Sequence, residues 1–150
     1  MNFRSNVILM AEDDPNDILL FQRAGEIVSL MNPLHIVRDG EEAIGYLSGQ
    51  AQYADRELYP LPVLLLLDLK MPRKSGFDVL HWLREQSGLK RLPAVILTSS
   101  GQISDINQAY DLGANSYLVK PASLDMLAQV IKSLERYWLT LCEKPELRSA

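Results

Sequence analysis

The chain has 150 residues with 15 Lys+Arg, 19 Asp+Glu and a formal net charge of -4. That length supplies one sizeable core and leaves too few residues for a second full domain. The acidic balance gives no broad positive field for phosphates, which argues against nucleic acid as a partner. The longest apolar run, Val63 to Leu67, is far short of a membrane span. With no secretory leader pattern and one cysteine, Cys142, unable to form an internal disulfide, the sequence reads as a cytoplasmic chain.

In chain order, short apolar runs alternate with segments of helical period, the pattern of βαβ units around a parallel sheet buried on both faces. The predicted strands are Val7 to Ala11, Leu34 to Val37, Val63 to Leu67, Ala94 to Thr98 and Tyr117 to Val119. Pro15 behind Asp14 opens a first helix, and the spacing of Leu20, Ala24, Ile27 and Met31 carries it to about Met31. Asp39 is placed to cap a second helix that ends near Gly49. Gly76 opens a third, with Gly88 beyond it. Ser104 is read as the cap of a fourth, closed by Gly113. A fifth begins after Ser123 and keeps an apolar stripe through Leu134, Trp138 and Leu141. The stretch from Gly49 to Pro62 is long for a helix-to-strand connection of about 2–6 residues.

Open parallel sheets bind ligands beyond the carboxyl ends of their strands. There the chain offers Glu12, Asp13 and Asp14 after the first strand, Asp68 after the third, Thr98 with Ser99 and Ser100 at the fourth, and Lys120 before Pro121 at the fifth. Oxygen ligands without His or Cys suit Mg²⁺. The same set suits phosphoryl transfer to an aspartate, in which a cation and a lysine neutralise charge and a hydroxyl holds a phosphoryl oxygen. Taken singly, each has a blander role: Asp14 beside Pro15 is read first as a helix cap and Lys120 as a solvated lysine.

The motifs Leu9-Met10-Ala11-Glu12-Asp13-Asp14, Leu66-Leu67-Asp68-Leu69-Lys70-Met71-Pro72, Ile96-Leu97-Thr98-Ser99-Ser100 and Tyr117-Leu118-Val119-Lys120-Pro121 resemble the receiver domain of two-component response regulators over roughly residues 7–137. The resemblance implies an α/β, flavodoxin-like, doubly wound five-stranded parallel sheet of order 2-1-3-4-5 with five helices. It implies one receiver domain over 1–150 with an extended helix-five tail and no output domain. Asp68 becomes the phosphoacceptor, Glu12 and Asp13 the acidic pair, and Asp68 with the main-chain carbonyl of Lys70 the remaining ligands of Mg²⁺. Thr98 and Tyr117 become the switch pair, Lys120 the phosphate-binding lysine, and Lys120–Pro121 a cis bond. The Lys70 side chain stands where the family tunes dephosphorylation.

The same resemblance implies a signalling switch rather than an enzyme, loaded by a sensor histidine kinase or phosphotransfer protein. Its output is protein contact or homodimerisation through the face of helix four, strand five and helix five. The long 49–62 segment resembles stand-alone receivers that accompany bacterial phytochrome kinases. Rival readings are weaker. A haloacid dehalogenase-type phosphatase wants a second Asp where Lys70 stands, and a dinucleotide or flavin module wants a phosphate-binding turn where Glu12-Asp13-Asp14 would repel phosphate. A pseudo-receiver would keep the fold without the chemistry, yet every site position is filled. His35 and His81 lack metal-pair spacing and are read as structural or solvated.

Overall fold

The computed structural model describes residues 6–149. Five strands alternate with five helices: β1 Ile8–Ala11, α1 Pro15–Ile27, β2 Leu34–Val37, α2 Gly40–Ser48, β3 Leu64–Leu67, α3 Gly76–Glu85, β4 Ala94–Thr98, α4 Ile103–Asp111, β5 Ser116–Val119 and α5 Leu124–Leu134. The strands are parallel in the order β2-β1-β3-β4-β5, the expected doubly wound arrangement.

Strands β1, β3 and β4 are buried along their whole length, so alternate residues feed two cores. Leu9, Leu65 and Ile96 point to the side covered by α2, α3 and α4, where Leu47, Leu80 and Ala109 meet them. Met10, Leu66 and Val95 point to the side covered by α1 and α5, through Phe21, Ala24, Leu127 and Ile131. Among the described residues no helix is long and apolar enough to cross a membrane.

Helix starts follow local chemistry. Asp14 caps α1 by accepting from the Asn16 N–H at 2.8 Å, Asp39 caps α2, and Ser75 and Asp78 form a reciprocal capping box on α3. Two boundaries depart from the sequence reading. Helix α1 stops at Ile27, not Met31, because Ser29 turns left-handed at φ 55° and the Leu30 N–H closes on the Gly25 carbonyl at 2.9 Å. Helix α4 begins at Ile103 behind Gln102, so Ser104 lies inside the helix and does not cap it.

The fifth helix also changes character. After Leu134 it widens into a π-helical turn over Glu135–Leu141, with the Cys142 N–H reaching the Tyr137 carbonyl five residues back. The extra residue rotates the expected stripe: Leu139 is buried, whereas Leu141 is exposed and Trp138 only packs partly against the core. The tail then crosses to the opposite side of the sheet. Leu147 joins the α2–α3–α4 core, and the Arg148 N–H donates to the Gly88 carbonyl at 2.7 Å.

The 49–62 connection is packed, not loose. Tyr53 and Tyr59 cluster with Tyr46 and His35, ring centroids 4.9–6.0 Å apart. The Tyr46 hydroxyl donates to the Pro60 carbonyl, and the Arg56 guanidinium closes the end of α2 by donating to the Tyr46 and Leu47 carbonyls at 2.8 and 2.9 Å. Both histidines have local partners: His35 meets Tyr46, and exposed His81 pairs with Glu85 one turn on.

Candidate phosphoacceptor site

Strand register builds the site. Ala11 and Leu67 are directly paired, so Glu12 and Asp68 emerge side by side at the carboxyl edge of the sheet. The Asp68 N–H donates to the Ala11 carbonyl at 3.1 Å, and Thr98 pairs with Val119, which brings Lys120 into the same rim. Glu12 and Thr98 are each 1% exposed and Asp68 8%, whereas Asp13 stands at the open mouth. Gly76 permits this closeness: a Cβ there would lie 2.2 Å from the Asp68 carbonyl oxygen.

Carboxylate oxygens of Glu12, Asp13 and Asp68 lie within 4.8 Å of one another. Three such charges repel unless a cation intervenes. Their oxygen-only chemistry and spacing fit a hard divalent ion such as Mg²⁺. Lys70, whose main-chain carbonyl the sequence reading adds to this set, is exposed in the loop two residues beyond Asp68. Asp14 is turned to its capping role outside the cluster.

Lys120 supplies the protein's own countercharge. Its ammonium donates to Glu12, to Asp17 Oδ2 at 2.7 Å and to Asp68 Oδ2 at 3.0 Å. Burial works against that charge, but hydrogen bonds to Asp17 and Glu12 and the Asp68 charge hold the ammonium above the usual lysine range. Burial also resists ionisation of Asp68. Hydrogen bonding from Thr98 and the Lys120 charge outweigh it and keep the carboxyl below the ordinary aspartate range. Glu12 goes the other way: burial, reinforced by the Asp68 charge, pushes it up to about 7 against the Lys120 hydrogen bond. Asp68 Oδ1 also accepts from the Leu69 N–H at 2.7 Å.

Thr98 closes the floor beside Asp68. Tyr117 is half-buried, and its hydroxyl donates to the Ser100 carbonyl at 2.8 Å, tying β5 to the loop after β4. The Lys120–Pro121 bond is trans, correcting the cis bond the resemblance implies. Trans is the favoured isomer of such bonds by about 0.5–1 kcal/mol. With it the Lys120 N–H donates to the Thr98 carbonyl at 2.7 Å while the ammonium reaches the carboxylates.

Asp17 is the site residue the sequence reading passed over. It sits in the first turn of α1, where an acid ordinarily reads as a complement to the helix dipole.

Comparison with known proteins agrees with this geometry. The sequence profile of the response regulator receiver domain matches residues 8–132. Response regulator Rcp1 of Synechocystis sp. is 37% identical over 139 residues, covering 93% of this chain and 92% of Rcp1. The crystal structure of the phosphorylated cyanobacterial phytochrome response regulator RcpA superposes with a TM-score of 0.85 at 38% identity, over 94% of this chain and 99% of RcpA. The Mn²⁺-bound form of Rcp1 does so with a TM-score of 0.81 at 36% identity, over 93% of this chain and 99% of that structure.

Proposed function

Since this chain belongs to the response regulator receiver domain family of two-component systems, we propose that Asp68 is its phosphoacceptor and that the aspartyl phosphate is its signalling state. The observation that carries this reading is a buried, charge-retaining Asp68 flanked by Lys120, Thr98 and two further carboxylates. Asp68 forms a P–O bond as the bond from phosphorus to the donor's imidazole nitrogen breaks, and the imidazole leaves with the electron pair. Lys120 takes up charge on a phosphoryl oxygen, and the Thr98 hydroxyl donates to another.

Glu12, Asp13, Asp68 and the Lys70 carbonyl are the residues that would hold Mg²⁺, which supplies neutralising charge for the phosphoryl oxygens when bound. Support comes from the cluster's spacing and from the Mn²⁺-bound state of Rcp1. The donor is a histidine kinase or phosphotransfer protein. Likeness to RcpA favours a phytochrome-class kinase. The output runs through Thr98 and Tyr117: a Thr98 drawn toward the phosphoryl group opens room for Tyr117 to leave the Ser100 carbonyl. That alters the face of α4, β5 and α5, the surface for a target or a second copy.

Incubation with acetyl phosphate and Mg²⁺ tests the reading. The expected product is one phosphoryl group per chain, released by hydroxylamine as an acyl phosphate. Label that resists hydroxylamine would place it on a hydroxyl and contradict the proposal.

A further inference from the structure

An ammonium has three N–H bonds, and Lys120 already has three carboxylate acceptors, Glu12, Asp17 and Asp68. A phosphoryl oxygen can therefore receive Lys120 only if one of these partners yields. Glu12 is the least able to do so, being 1% exposed and fixed also by the Asp14 N–H at 3.2 Å. Asp68 gives up its negative charge to the new P–O bond and can pass its Lys120 donor to the phosphoryl group, which leaves Asp17 as the anionic competitor that can still move. Asp17 has a side chain 32% exposed on the first turn of α1, so water can replace Lys120 around it at the lowest desolvation cost.

We propose that Asp17 is a positioning residue that holds Lys120 before phosphorylation and competes with the phosphoryl group for it, so that it sets both the loading and the lifetime of the aspartyl phosphate. This rests on the phosphoacceptor reading of Asp68. Two effects act in the same direction. Asp17 occupies one of the three ammonium donors, and its negative charge sits at a rim that must admit a phosphoryl donor of like sign. A mere first-turn acid would serve the dipole of its own helix. The Asp17 carboxylate instead reaches a lysine 103 positions away in sequence.

The experiment uses the whole chain as wild type, Asp17→Asn and Asp17→Glu, with acetyl phosphate and Mg²⁺. Loading and decay are followed by intact mass, and beryllofluoride affinity by fluorine NMR. Attack by Asp68 on phosphorus expels acetate with the electron pair of the broken P–O bond. Asp17→Asn is expected to lower the half-saturating acetyl phosphate concentration and slow decay by about threefold each, the scale of one partly exposed ion pair. It is also expected to tighten beryllofluoride binding similarly. Asp17→Glu should return all three toward wild type, which a general loosening of α1 would not do. Unchanged loading, decay and beryllofluoride affinity in Asp17→Asn, with the wild type loading normally, would overturn the inference alone. So would changes that Asp17→Glu fails to reverse. A wild type that takes no phosphoryl group would overturn the phosphoacceptor reading and this inference with it.

Discussion

Arg73 Nη1 donates to Asp39 Oδ2 at 2.8 Å, fastening the loop that follows Asp68 to the residue that caps α2. Beside it the Gly40 N–H donates to the Lys74 carbonyl at 3.1 Å, and a Cβ on Gly40 would stand 2.1 Å from that oxygen. The loop between β3 and α3 is thus held from outside at two adjacent points. Gly40→Ala should cost about 2 kcal/mol or more by forcing the two backbones apart. Arg73→Ala, which removes an ion pair with one exposed partner, should cost only about 0.5–1 kcal/mol. Urea unfolding of the two variants checks the ordering.

Arg84, in the last turn of α3, has a comparable role. It donates to the carbonyls of Gly113, Lys90 and Leu92 and to Asn115 Oδ1, joining α3 to the approach of both β4 and β5. Arg84→Ala leaves partly buried carbonyls without donors and should lower stability by about 2–4 kcal/mol. Arg84→Lys should restore only part of that, since an ammonium cannot span the fork. Thermal unfolding of both variants measures the difference.

The aromatic cluster formed by Tyr46 and the 49–62 connection yields a pH dependence. Burial, helped by the hydrogen bond to Glu42, pushes the Tyr53 hydroxyl up to about 12, against 10.0 in the ordinary range. Between those values the unfolded chain has lost a proton that the folded chain keeps. Tyr53's contribution is therefore fully present below about pH 10 and is lost as pH rises through about 12. Tyr53→Phe should show a shallower loss of stability over that window, read from urea midpoints at several alkaline pH values.

The proposed Mg²⁺ site can be told apart from folding at Asp13. It is exposed and forms no ion pair among the described residues, unlike Glu12 and Asp68. Asp13→Asn should leave the unfolding temperature in a chelator within a few degrees of wild type, yet remove most of the rise that Mg²⁺ produces by binding the folded state. Removing Mg²⁺ from the wild type should lower the unfolding temperature toward that of the variant.

Much of this was legible in the sequence because it depends on local chemistry. The leucine run of β3 is short, continuous and followed by Asp68, and strand ends in a parallel sheet meet at one edge, so Glu12, Asp13, Asp68, Thr98 and Lys120 could be grouped from order alone. Contacts that depend on long-range approach left no such trace. Asp17 stands in the first turn of α1, where an acid needs no distant partner, and its contact with Lys120 spans 103 positions. Arg56 and Arg84 bind chiefly main-chain carbonyls, which have no residue signature. The left-handed Ser29 and the π-turn that buries Leu139 override a helical period that the side chains alone would have continued.

The central claim concerns one carboxylate. Intact-mass measurement after acetyl phosphate and Mg²⁺ should show one added phosphoryl group on the wild type and none on Asp68→Asn, with both proteins folded. Equal labelling of the two, or an unlabelled wild type beside a receiver that labels under the same conditions, would contradict it.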